Sequence, residues 1–284
     1  MSVTLSLAAL MATAAPLAGA CGEIAGLEQL LRRPGLNFLL IGEYHGTVEM
    51  PALAADIVCH GTATRRPLVL GVELAPADQP ALDRYMASKG GARARAALLA
   101  SPAWKEAGGR STSAIADLVE AARQLGKKHE VRVVAFDTAP EPGTSPKREA
   151  AMADALMAAA KGSPGSLVIA FTGAGHADKE GWTSRNPPFL AAGGLLPREQ
   201  TISLTFARVG GQYWGCAAPD GDRSRGCTAY DMPVREPVAP RAILLDPKIR
   251  NGFDGIYHPG RQYTASKPAL SNQQAAPLLL TPRC

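Results

Sequence analysis

The chain has 284 residues, with 30 basic and 25 acidic side chains for a formal charge of +5, and 46% of its residues are apolar against 19% charged. These proportions suit a packed globular protein and exclude a disordered one. Aromatic residues are only 5%, and the positive excess is scattered, which excludes a basic, base-stacking surface for nucleic acid; no collagen, heptad or solenoid period is present.

The first 20 residues carry no charge. Leu5 to Leu10 and Ala12 to Ala20 are apolar, and Ala18-Gly19-Ala20 forms a small-x-small cleavage pattern. The stretch is shorter than the roughly 20 apolar residues of a spanning helix, so no transmembrane span is expected. Residues 1–20 therefore read as a signal peptide, and the mature chain as periplasmic or secreted. Cleavage after Ala20 would make Cys21 the first residue, where a lipid anchor is an alternative to soluble export.

Residues 21–284 read as a single domain, with a core over about 23–209 and an irregular C-terminal extension over 210–284. Apolar runs at Asn37 to Ile41, Pro67 to Val72, Val131 to Phe136, Ser166 to Phe171 and Thr201 to Phe206 are five buried strands. Helical patterns lie between them at 50–59, 77–86, 92–99, 112–128 and 146–161. In the fourth of these, Ile115, Leu118, Val119, Ala122 and Leu125 recur at spacings of three and four. Alternation of strand and helix predicts an α/β fold, a mainly parallel sheet with helices on both faces. In the extension, Ala242 to Leu245 and Phe253 to Tyr257 are short strand candidates, and Pro277 to Cys284 reads as a tail.

The cysteines are Cys21, Cys59, Cys216, Cys227 and Cys284. Without a CxxC pair, a structural zinc site is not expected. Cys216 and Cys227 flank the turn formers Pro219-Asp220-Gly221-Asp222, which predicts a disulfide closing two short strands; the pairing of the other three stays open.

Chemistry-bearing residues collect at the strand ends. Glu43 and His45 follow the first strand, Glu73 the second, Asp137 the third and His176 the fourth. In a parallel sheet those ends share one rim, where ligands bind. His45 and His176 are embedded in glycines, in Gly42-Glu43-Tyr44-His45-Gly46 and Gly173-Ala174-Gly175-His176, which suits imidazoles presented on tight turns. Glu73 and Asp137 are explained equally well as turn or helix caps. His60 and His129 end helices, where an imidazole complements the dipole. No G-x-S-x-G elbow, P-loop, H-E-x-x-H or G-x-G-x-x-G occurs.

Two G-x-x-H motifs, Gly42 to His45 and Gly173 to His176, on a parallel α/β chain resemble the erythromycin esterase, ChaN and Tiki/TraB superfamily. Gly42-Glu43-x-His45-Gly46-Thr47-x-Glu49 is most similar to the erythromycin esterase version. Lys147-Arg148-Glu149-Ala150-Ala151-Met152-Ala153 resembles a helix of the ChaN-like branch, with Glu149 replacing an aspartate, and Gly71-Val72-Glu73 matches a glutamate after the second strand. The resemblance spans roughly Asn37 to His176, with a fainter echo near Phe253-Asp254-Gly255 and Thr264-Ala265-Ser266. It implies three activities. Erythromycin esterases use the first-motif histidine as general base for water; Tiki-type members are metal-dependent proteases; ChaN-like members are haem-binding lipoproteins. The long insertions and helical cap of the esterases are missing here, as is the membrane anchor of the Tiki proteins.

The leading expectation is an exported hydrolase of an ester, lactone or amide, acting on a small molecule or peptide. His45 would deprotonate water, Glu43 and Glu73 would orient it, and His176 would polarise the carbonyl. The same four residues, Glu43, His45, Glu73 and His176, would form the ligand set if a divalent metal is bound. The alternative is a haem or metal uptake protein, with Tyr44 and His45 as the iron ligands. Asp137 and Arg148 are secondary candidates. Export is directly testable. The intact mass of periplasmic protein should show loss of residues 1–20, whereas a full-length cytoplasmic species would contradict it; an added diacylglycerol and acyl chain would establish the lipid anchor instead.

Overall fold

The computed structural model describes residues 21–137, 144–246, 248 and 250–270; the predicted leader and the Pro277 to Cys284 tail lie outside these. The described chain begins with the short helix α1 (Leu27–Leu31), then β1 (Phe38–Glu43), α2 (Glu49–Gly61) and β2 (Leu68–Val72). There follow α3 (Gln79–Ala87), α4 (Ala92–Leu99), α5 (Ser113–Leu125), β3 (Val131–Ala135), α6 (Pro146–Lys161) and β4 (Leu167–Gly173). One-turn helices α7 (Ala174–Ala177) and α8 (Ala192–Leu195) precede β5 (Thr201–Phe206). The remaining strands are β6 (Gln212–Gly215), β7 (Thr228–Asp231), β8 (Ala242–Leu245) and β9 (Gly255–His258).

Seven strands form one sheet in the order β3-β2-β4-β1-β5-β9-β8. All pairs are parallel except β8 with β9. Alternate residues leave a strand on opposite faces, and both faces here are covered. Leu39 and Ile41 of β1 join one apolar cluster with Met50, Leu53 and Ile57 of α2 and Ile115, Leu118 and Val119 of α5. Phe38 and Leu40 join the other, with Met152, Ala153 and Leu156 of α6. Burial on two faces is why β1, β2, β4 and β5 read as continuous apolar runs, whereas β3 at the sheet edge alternates and exposes Arg132.

The C-terminal extension is more ordered than its composition suggests. β9 adds in parallel to β5, so the sheet continues past the predicted core, and β8 closes its edge. The second candidate strand begins at Gly255 rather than Phe253. β6 and β7 form a separate antiparallel hairpin, whose connecting loop is closed at its base by the predicted Cys216–Cys227 disulfide. Closing a loop of that length is worth on the order of 2–3 kcal/mol in the chain-entropy model. A second disulfide joins Cys21 to Cys59. It commits the Cys21 sulfur, which cannot at the same time carry a lipid thioether. Among the described residues no helix is long and apolar enough to cross a membrane.

Strand order decides where the site falls. β4 lies between β2 and β1, so the carboxyl ends of all three are neighbours. Register aligns them closely: Glu43 pairs with Gly173, and Val72 with Phe171. Glu73, the residue after Val72, is thus level with Thr172 and Gly173.

Candidate functional site

At the end of β1 the chain turns sharply at Gly46, whose φ is +89°. A side chain there would be strained, and its Cβ would collide with the Trp214 carbonyl. The Gly46 carbonyl accepts the amides of Trp214 and Ser266, both at 2.8 Å. Val48 N–H donates to Thr264 at 2.9 Å, so β6 and the 263–266 segment clasp the turn from two sides. Glu49 belongs to the same clasp: its carboxylate accepts from Thr264 N–H at 2.8 Å and Arg261 Nε at 3.1 Å.

This turn presents His45 with 32% of its side chain exposed. Its Nδ1 lies 2.7 Å from Glu43 Oε1; a carboxylate only accepts, so the ring donates there and directs Nε2 inward. Nε2 is 3.7 Å from Glu73 Oε1. From the other side His176 mirrors this arrangement. Its Nδ1 is 2.8 Å from Glu149 Oε1, and its Nε2 is 3.7 Å from the same Glu73 oxygen. The four predicted residues Glu43, His45, Glu73 and His176 therefore converge, with Glu73 between the two imidazoles.

Glu73 is buried, at 7% exposure. Its Oε2 accepts Thr172 Oγ1 and Gly173 N–H, each at 2.7 Å. Its Oε1 accepts Arg110 Nη1 at 3.2 Å and Arg148 Nη2 at 3.3 Å. Desolvating a carboxylate costs several kcal/mol, while hydrogen bonds involving a charged group are worth about 1.5–3 kcal/mol each. Four such bonds decide the balance in favour of the ion. Burial pushes the Glu73 carboxyl upward, but the charges of His45, His176 and Arg110 and the Gly173 amide outweigh it and hold the group well below the usual carboxylate range.

The flanking groups respond to the same field. For His45, burial lowers the pKa, but the Glu73 and Glu43 charges and the Glu43 hydrogen bond carry the net value upward. Burial raises the Glu43 carboxyl, and among the described residues its buried Oε2 has no hydrogen-bond partner.

Arg148 and Asp137 support the centre. Arg148 donates Nε to Asp137 Oδ1 at 2.8 Å and Nη2 to Oδ2 at 2.7 Å, a bidentate pair that aims the guanidinium at Glu73. Asp137 is thus more than a turn cap. Two participants fall outside the set expected from sequence. Arg110 bonds Glu73 and Asp137 from a loop with no regular pattern, and only Gly108-Gly109 signals it: a Cβ at Gly109 would lie 2.8 Å from the His45 Cβ. Glu149 holds His176 and also accepts Trp182 Nε1 at 3.2 Å and Ala192 N–H at 2.9 Å.

All this lines an open cleft of about 790 Å³. Its aromatic wall is formed by Tyr44, Phe206, Tyr213 and Trp214. The Tyr44 ring packs edge-on against Tyr213 at 4.5 Å and Phe206 at 6.0 Å. Tyr44 thus serves the wall, and no observation pairs it with His45 on a common iron.

A divalent metal fits these residues poorly. Among the described residues no three His, Cys, Asp or Glu side chains gather as a ligand set. Both Glu73 oxygens are already hydrogen-bonded, and two guanidinium groups beside them oppose a further cation. The ligand reading of Glu43, His45, Glu73 and His176 is therefore not supported.

No protein-family model and no curated protein matches this chain. Solved structures do. A Bacillus cereus protein aligns at 14% identity and TM-score 0.60, covering 86% of this chain and 92% of its own. A succinoglycan biosynthesis protein gives 12% identity and TM-score 0.60, covering 85% and 91%. An erythromycin esterase mutant in its open conformation gives 11% identity and TM-score 0.57, covering 86% and 94%. Identities this low speak for the fold alone, and the fold is erythromycin esterase-like.

The hub has a stability signature. Arg148→Met removes the bidentate partner of the buried Asp137 carboxylate and one of the four donors to Glu73, and should cost about 3–5 kcal/mol in urea unfolding. The more exposed Arg110→Met should cost much less. Equal, small losses would show that the Arg148 pairing is not structural.

Proposed function

We propose that the chain is an exported hydrolase of an ester, lactone or amide, with His45 as its general base. The supporting observation is the His45 ring itself. Glu43 fixes Nδ1 and Nε2 is turned toward Glu73, while the part-exposed ring lines a cleft large enough for a small molecule or the end of a peptide. Two disulfides among the described residues favour an oxidising compartment, in keeping with export.

In this reading, water sits against His45 Nε2. The ring takes a proton as the water oxygen attacks the acyl carbon, and the carbonyl electron pair moves onto oxygen. Arg110, part-exposed in the cleft wall, faces that oxyanion and stabilises it; His176, whose Nδ1–H is given to Glu149, adds an Nε2–H donor as the imidazolium. As the intermediate collapses, the bond to the leaving group breaks and His45 returns its proton to the leaving atom. Glu43 steadies the imidazolium in between. Glu73 touches both histidines and acts as their positioning residue. The likeness of fold to an erythromycin esterase supports acyl transfer to water.

The base works only when neutral, so the rate rises with pH through the His45 pKa. Because neighbouring carboxylates raise that pKa, the acid limb of kcat/KM should have its midpoint above about 6.5. Glu43→Gln removes one raising charge and should move the midpoint down; an unmoved midpoint would detach His45 from the limb. His45→Gln should lower kcat/KM on an activated ester by about 10²–10⁴-fold. Undiminished turnover would overturn the assignment.

A further inference from the structure

The cleft has a second chemical character, away from the histidines. Arg208, Arg223 and Arg250 all line it, and their counter-charges are unequal. Arg250 Nη2 donates to Glu236 Oε1 at 2.5 Å. The other Glu236 oxygen accepts the backbone N–H of Arg208. Glu236 is thus already engaged, while Arg208, Arg235 and Arg250 are close enough to interact around it. Among the described residues only Arg250 is ion-paired with that carboxylate. Among the described residues the Arg208 guanidinium has no hydrogen bond or ion pair, yet the residue is only part-exposed.

A part-buried, unpaired cation among like charges is costly unless something neutralises it. Burial, Arg250 and Arg235 all disfavour its charged form, and Glu236 and Tyr44 offset this only in part. The other acid lining this region, Asp178, uses Oδ1 to accept the Glu180 and Gly181 amides at 2.7 and 3.0 Å. Position matters as much as charge. Arg208 lies two residues beyond Phe206 at the end of β5, the strand beside β1. Phe206 packs against Tyr44, the neighbour of His45. The free guanidinium and the candidate base therefore open into one cavity, with an aromatic wall between them.

We infer that Arg208, assisted by Arg250 and Arg223, binds an oxyanion on the substrate, a carboxylate or phosphate, while the scissile bond lies at His45. The inference deepens the hydrolase reading and rests on it for the word substrate; the anion site itself does not need catalysis. Guanidinium suits the task because its planar donors meet two oxygens of such a group at once.

The test titrates succinate and inorganic phosphate separately into the full protein, by calorimetry and by fluorescence of the cleft tryptophans. At least one anion should bind saturably to the native protein and to His45→Gln alike, and the two titrations decide between carboxylate and phosphate. Arg208→Gln should weaken binding about tenfold or more, and Arg208→Lys should recover part of it. Melting curves confirm that each variant is folded; Arg208→Lys, which keeps the charge, serves if Arg208→Gln is not. Hydrolysis of para-nitrophenyl succinate and para-nitrophenyl acetate is read beside it, and Arg208→Gln should reduce the preference for the anionic ester about tenfold. Arg208-dependent anion binding without cleavage of either ester would sustain the site and sink the hydrolase reading. Ester cleavage with no saturable anion binding, or with binding unchanged in Arg208→Gln, would overturn the anion site and leave the hydrolase reading standing.

Discussion

Glu73 lies buried at the end of β2, held by Thr172 Oγ1 and the Gly173 amide on one oxygen and by Arg110 and Arg148 on the other. Most of what the site does follows from that ion. Both histidines turn Nε2 toward its Oε1 at 3.7 Å, so one charge orients two rings from opposite sides. The arrangement depends on β4 lying between β2 and β1, because only that order sets Glu73 beside the Gly173 amide and Glu43 beside Gly173 itself. An ion so placed is costly alone and stable only with its donors. Fold and site are therefore one construction: the sheet supplies the amide, α6 supplies Arg148, and the loop after α4 supplies Arg110.

The two outer carboxylates divide the labour differently. Glu149 is fully buried and holds His176 together with Trp182 and the Ala192 amide, which makes His176 the fixed side of the pair. Glu43 holds His45 but, among the described residues, keeps one oxygen without a partner, and His45 remains part-exposed. The pairing thus has a rigid half and a half open to the cleft. Around it, β6, the disulfide-closed hairpin and the 263–266 segment clamp the Gly46 turn, giving the glycine-rich loop the rigidity that catalysis on a loop requires.

Much of this was legible in the amino-acid order. Apolar runs revealed five parallel strands, four of them continuous because both faces of the sheet are covered there, and acidic or imidazole residues at their ends located Glu43, His45, Glu73 and His176. What escaped did so for physical reasons. Arg110 sits in a loop whose position depends on packing against Trp214 rather than on any local period; Trp214 Nε1 donates to Ala107 at 2.8 Å. Glu149 falls in a helix, where a carboxylate in the first turn is ordinary, so its role appears only once α6 is packed. The Cys21–Cys59 bridge joins residues 38 apart, beyond what spacing can decide. The strands β8 and β9 are short, and β8 is half exposed, so their patterns carry little of the signal that a buried strand does.

Because Glu73 is held to govern His45 through space, the direct measurement is the titration of the His45 imidazole by nitrogen-15 NMR, in the native protein and in Glu73→Gln. The account predicts a native midpoint above the ordinary histidine value of about 6.5 and a clear downward move on Glu73→Gln, with Nδ1 still protonated against Glu43. A native midpoint at or below the ordinary value, or one indifferent to Glu73→Gln, would contradict it.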